Sequence, residues 1–156
     1  MNIKIVAVGK IKEKFHKEAI SEFEKRLTPY CSFSIIEVDS VPILEENAYE
    51  KYKAVEGERI LSKVKKDDYV IALVIKGKSF SSEEFANKIK EISLSGINEI
   101  VFVIGGANGI SEEVSKRADL KLSFSKMTFT HQMIRIILTE QIYRAFKIIN
   151  NENYHR

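Results

Sequence analysis

The stretch Glu99–His131, EIVFVIGGANGISEEVSKRADLKLSFSKMTFTH, is the part of the chain around which the rest is arranged. Ile100 to Ile104 reads as a buried strand, and a loop holding Gly105, Gly106 and Gly109 follows it directly. These are three of the chain's seven glycines. A short helix is expected from Ser111, with Glu112 and Glu113 in its first turn. A second apolar run and a Ser/Thr-rich loop then lead into a long helix. Strand, glycines and helix N-terminus in succession place backbone N–H groups where a ligand can meet them. This stretch is the expected functional centre.

Working outward, Asn2–Val8 reads as a strand closed by Gly9, Ser34–Val38 as a second, and Tyr69–Ile75 as a third. The last is continuously apolar, the pattern of a strand covered on both faces. Between them, Glu13–Leu27 carries Phe15, Ala19, Ile20, Phe23 and Leu27 at helical spacing, with His16 on the border of that stripe. Asp39–Glu46, with Pro42, reads as a loop. Asn47 is the expected cap of a helix running to Val64, with Tyr52, Val55, Ile60 and Leu61 inward. Gly57 inside it costs about 1 kcal/mol relative to Ala, for which close packing is one reason. Gly77 is the expected turn after the third strand. Ser81 to Glu84 forms a capping box for a helix with Phe85, Ile89 and Ile92 inward, stopped by Gly96. This alternation predicts one α/β domain over residues 1–156 with a mostly parallel sheet.

The final helix, expected from Thr130 to Ile149, is apolar on nearly every face: Met133, Ile134, Ile136, Ile137, Leu138, Ile142, Tyr143, Ala145, Phe146 and Ile148. Such a helix calls for burial all round. In a chain of 156 residues that predicts a homodimer packed through this helix.

Hydrophobic residues at 44% and charged residues at 30% are globular composition and exclude a disordered chain. No apolar run approaches the roughly 20 residues of a membrane span. The opening MNIKIVAVGK lacks a basic n-region, so no secretory signal is expected and a cytoplasmic location is. Net charge is +3, unevenly placed. Lys116–Arg156 holds eight basic and three acidic residues, a local +5 that would draw an anionic partner.

Several chemistries are poorly supported. The glycine spacing is G-G-x-x-G after the fourth strand, not the G-x-G-x-x-G of a dinucleotide fold, and no Walker A pattern occurs. Cys31, the only cysteine, has no histidine near it in sequence, and no G-x-S-x-G elbow exists. His16, His131 and His155 lie far apart, without metal-ligand spacing. His131 and Arg135 are spaced i, i+4 and could face one ligand, or His131 could serve the helix entry alone. Chemistry carried by a bound cofactor and by positioning is what remains.

IGGANGIS (Ile104–Ser111), LSFSKMTFTHQMIR (Leu122–Arg135), EQIYRAF (Glu140–Phe146) and the terminal YHR (Tyr154–Arg156) together resemble the RlmH family of SPOUT RNA methyltransferases. KIVAVGKIKEK, EGERIL and ALVIKGK fit as well, so the resemblance spans the chain. It implies a SPOUT-type α/β fold with a C-terminal deep trefoil knot. It also implies methyl transfer from S-adenosyl-L-methionine to N3 of a pseudouridine in helix 69 of 23S rRNA, on the assembled ribosome and without a metal. The implied cofactor site is Leu73, Gly105, Phe124, Ser125, Lys126, Met127, Thr128 and Phe129. The implied catalytic or substrate residues are Arg144, Tyr154, His155 and Arg156. His155 would either take the N3 proton or orient the base, and the tail could serve its own or a partner subunit's site. Thr130, Val74 and Asn151-Glu152-Asn153 stand where the family usually has proline, aspartate and Gly-Glu-Pro. The rival expectation is a non-catalytic ribosome- or RNA-binding protein that retains the knotted fold.

Overall fold

The computed structural model describes residues 1–155. Arg156, the last of the implied site residues, lies outside the described residues. Five strands, β1 (Asn2–Val8), β2 (Ser32–Val38), β3 (Tyr69–Ser79), β4 (Glu99–Ile104) and β5 (Leu120–Ser123), form one sheet. Its order is β2-β1-β4-β3-β5, and every pairing is parallel. A parallel sheet needs both faces covered. Helices α1 (Lys14–Leu27), α3 (Ser82–Leu94) and α5 (Met133–Ile149) cover one face, packing on Ile3, Ile5, Ile100 and Phe102. Helices α2 (Tyr49–Leu61) and α4 (Glu112–Arg117) cover the other, against Val6, Val8, Val101 and Val103. Alternate residues of each central strand thus feed opposite cores, each buried Ile or Val contributing about 1.5–3 kcal/mol.

The capping box is present: Ser81 Oγ accepts from Glu84 N–H, and Glu84 accepts from Ser81 N–H. Gly96 has φ +87 and ends that helix region as expected. Gly57 also has its packing reason. A Cβ there would lie 2.9 Å from Ser111 Cβ, so the glycine lets α2 close onto the start of α4.

Four expectations need correction. Gly77 is not a turn, because β3 continues to Ser79 through a register shift against β5 between Leu73 and Lys78. A Cβ on Gly77 would meet the Leu122 carbonyl carbon at 2.7 Å, so this glycine permits close strand approach. Asn47 does not cap α2. It sits inside a 3-10 turn (Glu46–Ala48), and the Tyr52 hydroxyl instead accepts from the N–H groups of Leu44 and Glu45. Phe15 is not inward but 60% exposed, whereas His16, one step round the helix, is buried. Finally α5 begins at Met133; Thr130 Oγ1 accepts the Met133 N–H just before it.

The all-round apolar character of α5 is met on one side only. Leu138, Ile142, Ala145 and Phe146 are buried, while Ile134, Ile136, Ile137, Tyr143 and Ile148 are half-buried and Met133 is exposed.

Candidate active site

In a parallel sheet the loops leaving the strand C-termini share one edge, and crevices form there. The chain follows this rule. A cavity of about 830 Å³ opens at that edge, on the α1/α5 face. Its size falls within the range of small-molecule and cofactor sites. Leu73 and Val74 of β3, Ile104 at the end of β4 with Gly105 after it, and Leu122 of β5 with Phe124 after it form its inner wall. Ser125, Met127, Thr128 and Phe129 continue the wall along the loop toward α5. Of the eight residues expected to hold a cofactor, only Lys126 does not line the cavity. Its side chain is exposed between two that do.

The glycine loop is a tight turn. Gly109 N–H donates to Gly106 O at 3.0 Å, with Gly109 at φ +85. A Cβ on Gly105 would meet Gly109 O at 2.7 Å, and one on Gly106 would meet Glu56 Oε1 and Val8 Cγ1 at 3.1 Å. A side chain is therefore excluded at Gly105 and crowded at Gly106, leaving main chain at the cavity wall. Behind the turn Glu56 is only 5% exposed, with Oε2 accepting from Val41 N–H at 3.0 Å.

The opposite wall was legible only at His131. It consists of Glu13, just before α1, and His16 of α1, with His131, Gln132 and Ile134. Gln132 Oε1 only accepts, so the His16 Nδ1 at 3.1 Å carries the proton in that bond. Their approach spans 116 residues of sequence, and no local pattern signals it. Burial, and then the charge of Arg135, lower the His131 pKa below the ordinary histidine value. Arg135 itself is no ligand residue. It is fully buried, with Nη2 donating to Val8 O and Gly9 O at 2.9 Å and Nη1 donating to Glu37 at 2.8 Å. His131 and Arg135 thus part company: one lines the cavity, the other locks α5 to the end of β1.

Arg144, Tyr154 and His155 do converge, but elsewhere. Arg144 reaches Glu140 Oε1 at 2.5 Å and His155 Nδ1 at 3.3 Å. The Tyr154 hydroxyl donates to the same Glu140 oxygen at 3.1 Å, and its ring lies under the Arg144 guanidinium. Burial, followed by the Glu140 charge, raises the Tyr154 pKa. His155 Nε2 meets Glu83 at the start of α3 at 2.7 Å. The tail is thus folded onto α3 and α5, and none of these three residues lines the chain's own cavity. Burial pushes the Cys31 thiol up to about 11, which disfavours it as a nucleophile at neutral pH.

The family model described as "Predicted SPOUT methyltransferase" matches residues 1–155. The chain belongs to the SPOUT methyltransferase family. Among SPOUT relatives it is 54% identical to ribosomal RNA large subunit methyltransferase H of Carboxydothermus hydrogenoformans. It is 51% identical to the protein so named in Clostridioides difficile; both alignments cover all of each chain. Among solved structures it resembles a probable methylase family protein from Haemophilus influenzae, with TM-score 0.55 and 15% identity. That match covers 99% of this chain and 70% of the other, and it speaks to the fold alone. Among the described residues no helix is long and apolar enough to cross a membrane.

Proposed function

We propose that this SPOUT protein is an S-adenosyl-L-methionine-dependent methyltransferase acting on large-subunit ribosomal RNA. The observation that carries the reading is the glycine-turned cavity, whose wall contains seven of the eight residues implied to hold that cofactor. Relatives 51–54% identical over their full length are named for this reaction on this RNA. The residues present fit the group. Leu73, Ile104, Leu122 and Phe124 offer an apolar slot for adenine, and the bare main chain at Gly105 and along Ser125–Thr128 offers hydrogen-bonding partners. When bound, the cofactor supplies a methyl on a sulfonium, and no metal is needed for its transfer. The protein's share is to exclude water, align the acceptor nitrogen and accept its proton. By the family resemblance the acceptor is N3 of a pseudouridine in helix 69 of 23S rRNA, the site of action is cytoplasmic, and the fold carries the trefoil knot.

The reading includes a homodimer through α5. Its support is the incompletely covered outer side of that helix, with Met133 exposed. The tail lies away from its own cavity, so Tyr154 and His155 of the partner subunit are proposed to complete the site, with Arg144 anchoring that tail.

Calorimetry with S-adenosylmethionine tests the cofactor; no heat at millimolar ligand would favour a non-catalytic RNA-binding protein. A second test mixes a chain truncated after Asn153 with a Gly105→Val chain. Each alone is expected to be inactive on unmethylated ribosomes, and the mixture active. A mixture as inactive as its parts would end the shared-site reading.

A further inference from the structure

The sequence points to Lys116–Arg156 as the basic end, but folding leaves few of those charges free. Arg135, Arg144 and Lys147 pair with Glu37, Glu140 and Glu152, while Lys116 and Arg117 pair with Glu112 and Asp119. Of that basic set, only Lys121 and Lys126 stand without an ion pair among the described residues. An RNA drawn to cations must find most of them elsewhere.

Free cations gather at the mouth of the cavity. Lys10, Lys12, Lys76 and Lys126 are exposed, and none forms an ion pair among the described residues. They come from three places in the sequence, yet all leave the C-terminal ends of parallel strands: β1, the bulged end of β3, and β5. Lys76 itself lines the cavity, Lys126 stands between lining residues, Lys12 precedes Glu13, and Lys10 follows the Gly9 that abuts His131. Glu13 is the one carboxylate among the lining residues. Beside the lysines, Met127 is 77% and Phe129 39% exposed, so apolar surface and cations share one rim.

We propose that Lys10, Lys12, Lys76 and Lys126 form the RNA-docking rim, holding the phosphates of an unpaired strand while Phe129 stacks on one of its bases. This rests on the methyltransferase reading and names the surface it uses. Phosphate contacts fix register, and aromatic faces accept any base. A base inside a duplex could not enter the cavity below, whereas one in a loop can be turned out into it.

The test measures binding of a labelled RNA hairpin with an unpaired loop across a salt series from about 50 to 200 mM. For single strands each phosphate neutralised contributes about 0.7 to the log–log salt slope. Lys10→Gln/Lys12→Gln is therefore expected to lower the slope by about 1.4, with a further drop of about 0.7 on adding Lys126→Gln. The S-adenosylmethionine affinity of the Lys10→Gln/Lys12→Gln chain should stay within about twofold of wild type. Lys65→Gln/Lys66→Gln, exposed in the loop before β3 at the other edge of the sheet, should leave the slope unchanged. An unaltered slope in the first pair, or an equal fall in the control pair, overturns the rim. A wild-type chain that bound RNA on these lysines but no S-adenosylmethionine would uphold the rim and overturn the methyltransferase reading.

Discussion

Arg135 is the residue on which the geometry of the site turns. It is a fully buried guanidinium that donates to three main-chain carbonyls, those of Val8, Gly9 and His131, and to a carboxylate. Removing the guanidinium leaves the buried Val8 carbonyl without this donor, at about 1–3 kcal/mol, while the exposed Glu37 keeps the Ile11 N–H. Arg135→Met is expected to lose that much in denaturant unfolding; a loss under about 0.5 kcal/mol would contradict the account. His131, one turn earlier, gives a pH prediction. Its lowered pKa means the folded chain holds it neutral while the unfolded chain takes up a proton first as pH falls. The stability it contributes is present above about pH 6.5 and is lost as pH falls through the lower folded value. Calorimetric melting of wild type should thus weaken more between about pH 7 and pH 5 than that of His131→Asn, and parallel curves would refute this.

At the level of elements, the α2–α4 contact depends on Gly57. Gly57→Ala would raise helix propensity yet push into Ser111, and overpacking of this kind costs about 1–3 kcal/mol. A net loss of Tm in Gly57→Ala, relieved in Gly57→Ala/Ser111→Gly, is the expected result; a more stable single variant would mean the two helices simply separate. Elements were the scale most legible in the sequence. Apolar runs and the Ser81–Glu84 box set strands and caps through local rules, and the structure keeps them. What was illegible is what depends on distant partners. Gly77 looks like a turn until β5 is seen pressing on it, and the side of α1 that faces inward at Phe15–His16 is decided by Gln132. Likewise one of the ion pairs that consume the basic end, Arg135 with Glu37, joins residues 98 apart. The cofactor wall is named through the family resemblance, and its residues come from β3 (Leu73), the turn after β4 (Gly105) and the loop after β5 (Phe124–Phe129). Of the facing wall only His131 is singled out, because the starts of α1 and α5, far apart in sequence, come together to build it.

For the molecule as a whole, the outer side of α5 carries the prediction. Ile137→Glu places a charge on a half-buried position that does not line the cavity. Sedimentation is expected to show a dimer for wild type and a monomer for this variant, with cofactor binding kept and methylation lost. A monomeric wild type would remove the shared site. The strand order has a consequence of another kind, in time. β1 is paired with β2, which follows it closely, but its other neighbour is β4, joined through registers such as Ile5 with Phe102. The strand made first must keep one hydrogen-bonding edge open until some hundred residues have emerged. Parallel pairings so distant close slowly. The growing chain therefore passes much of its synthesis as a half-sheet with an exposed edge, and stalling it just before Glu99 should yield the species most prone to aggregate.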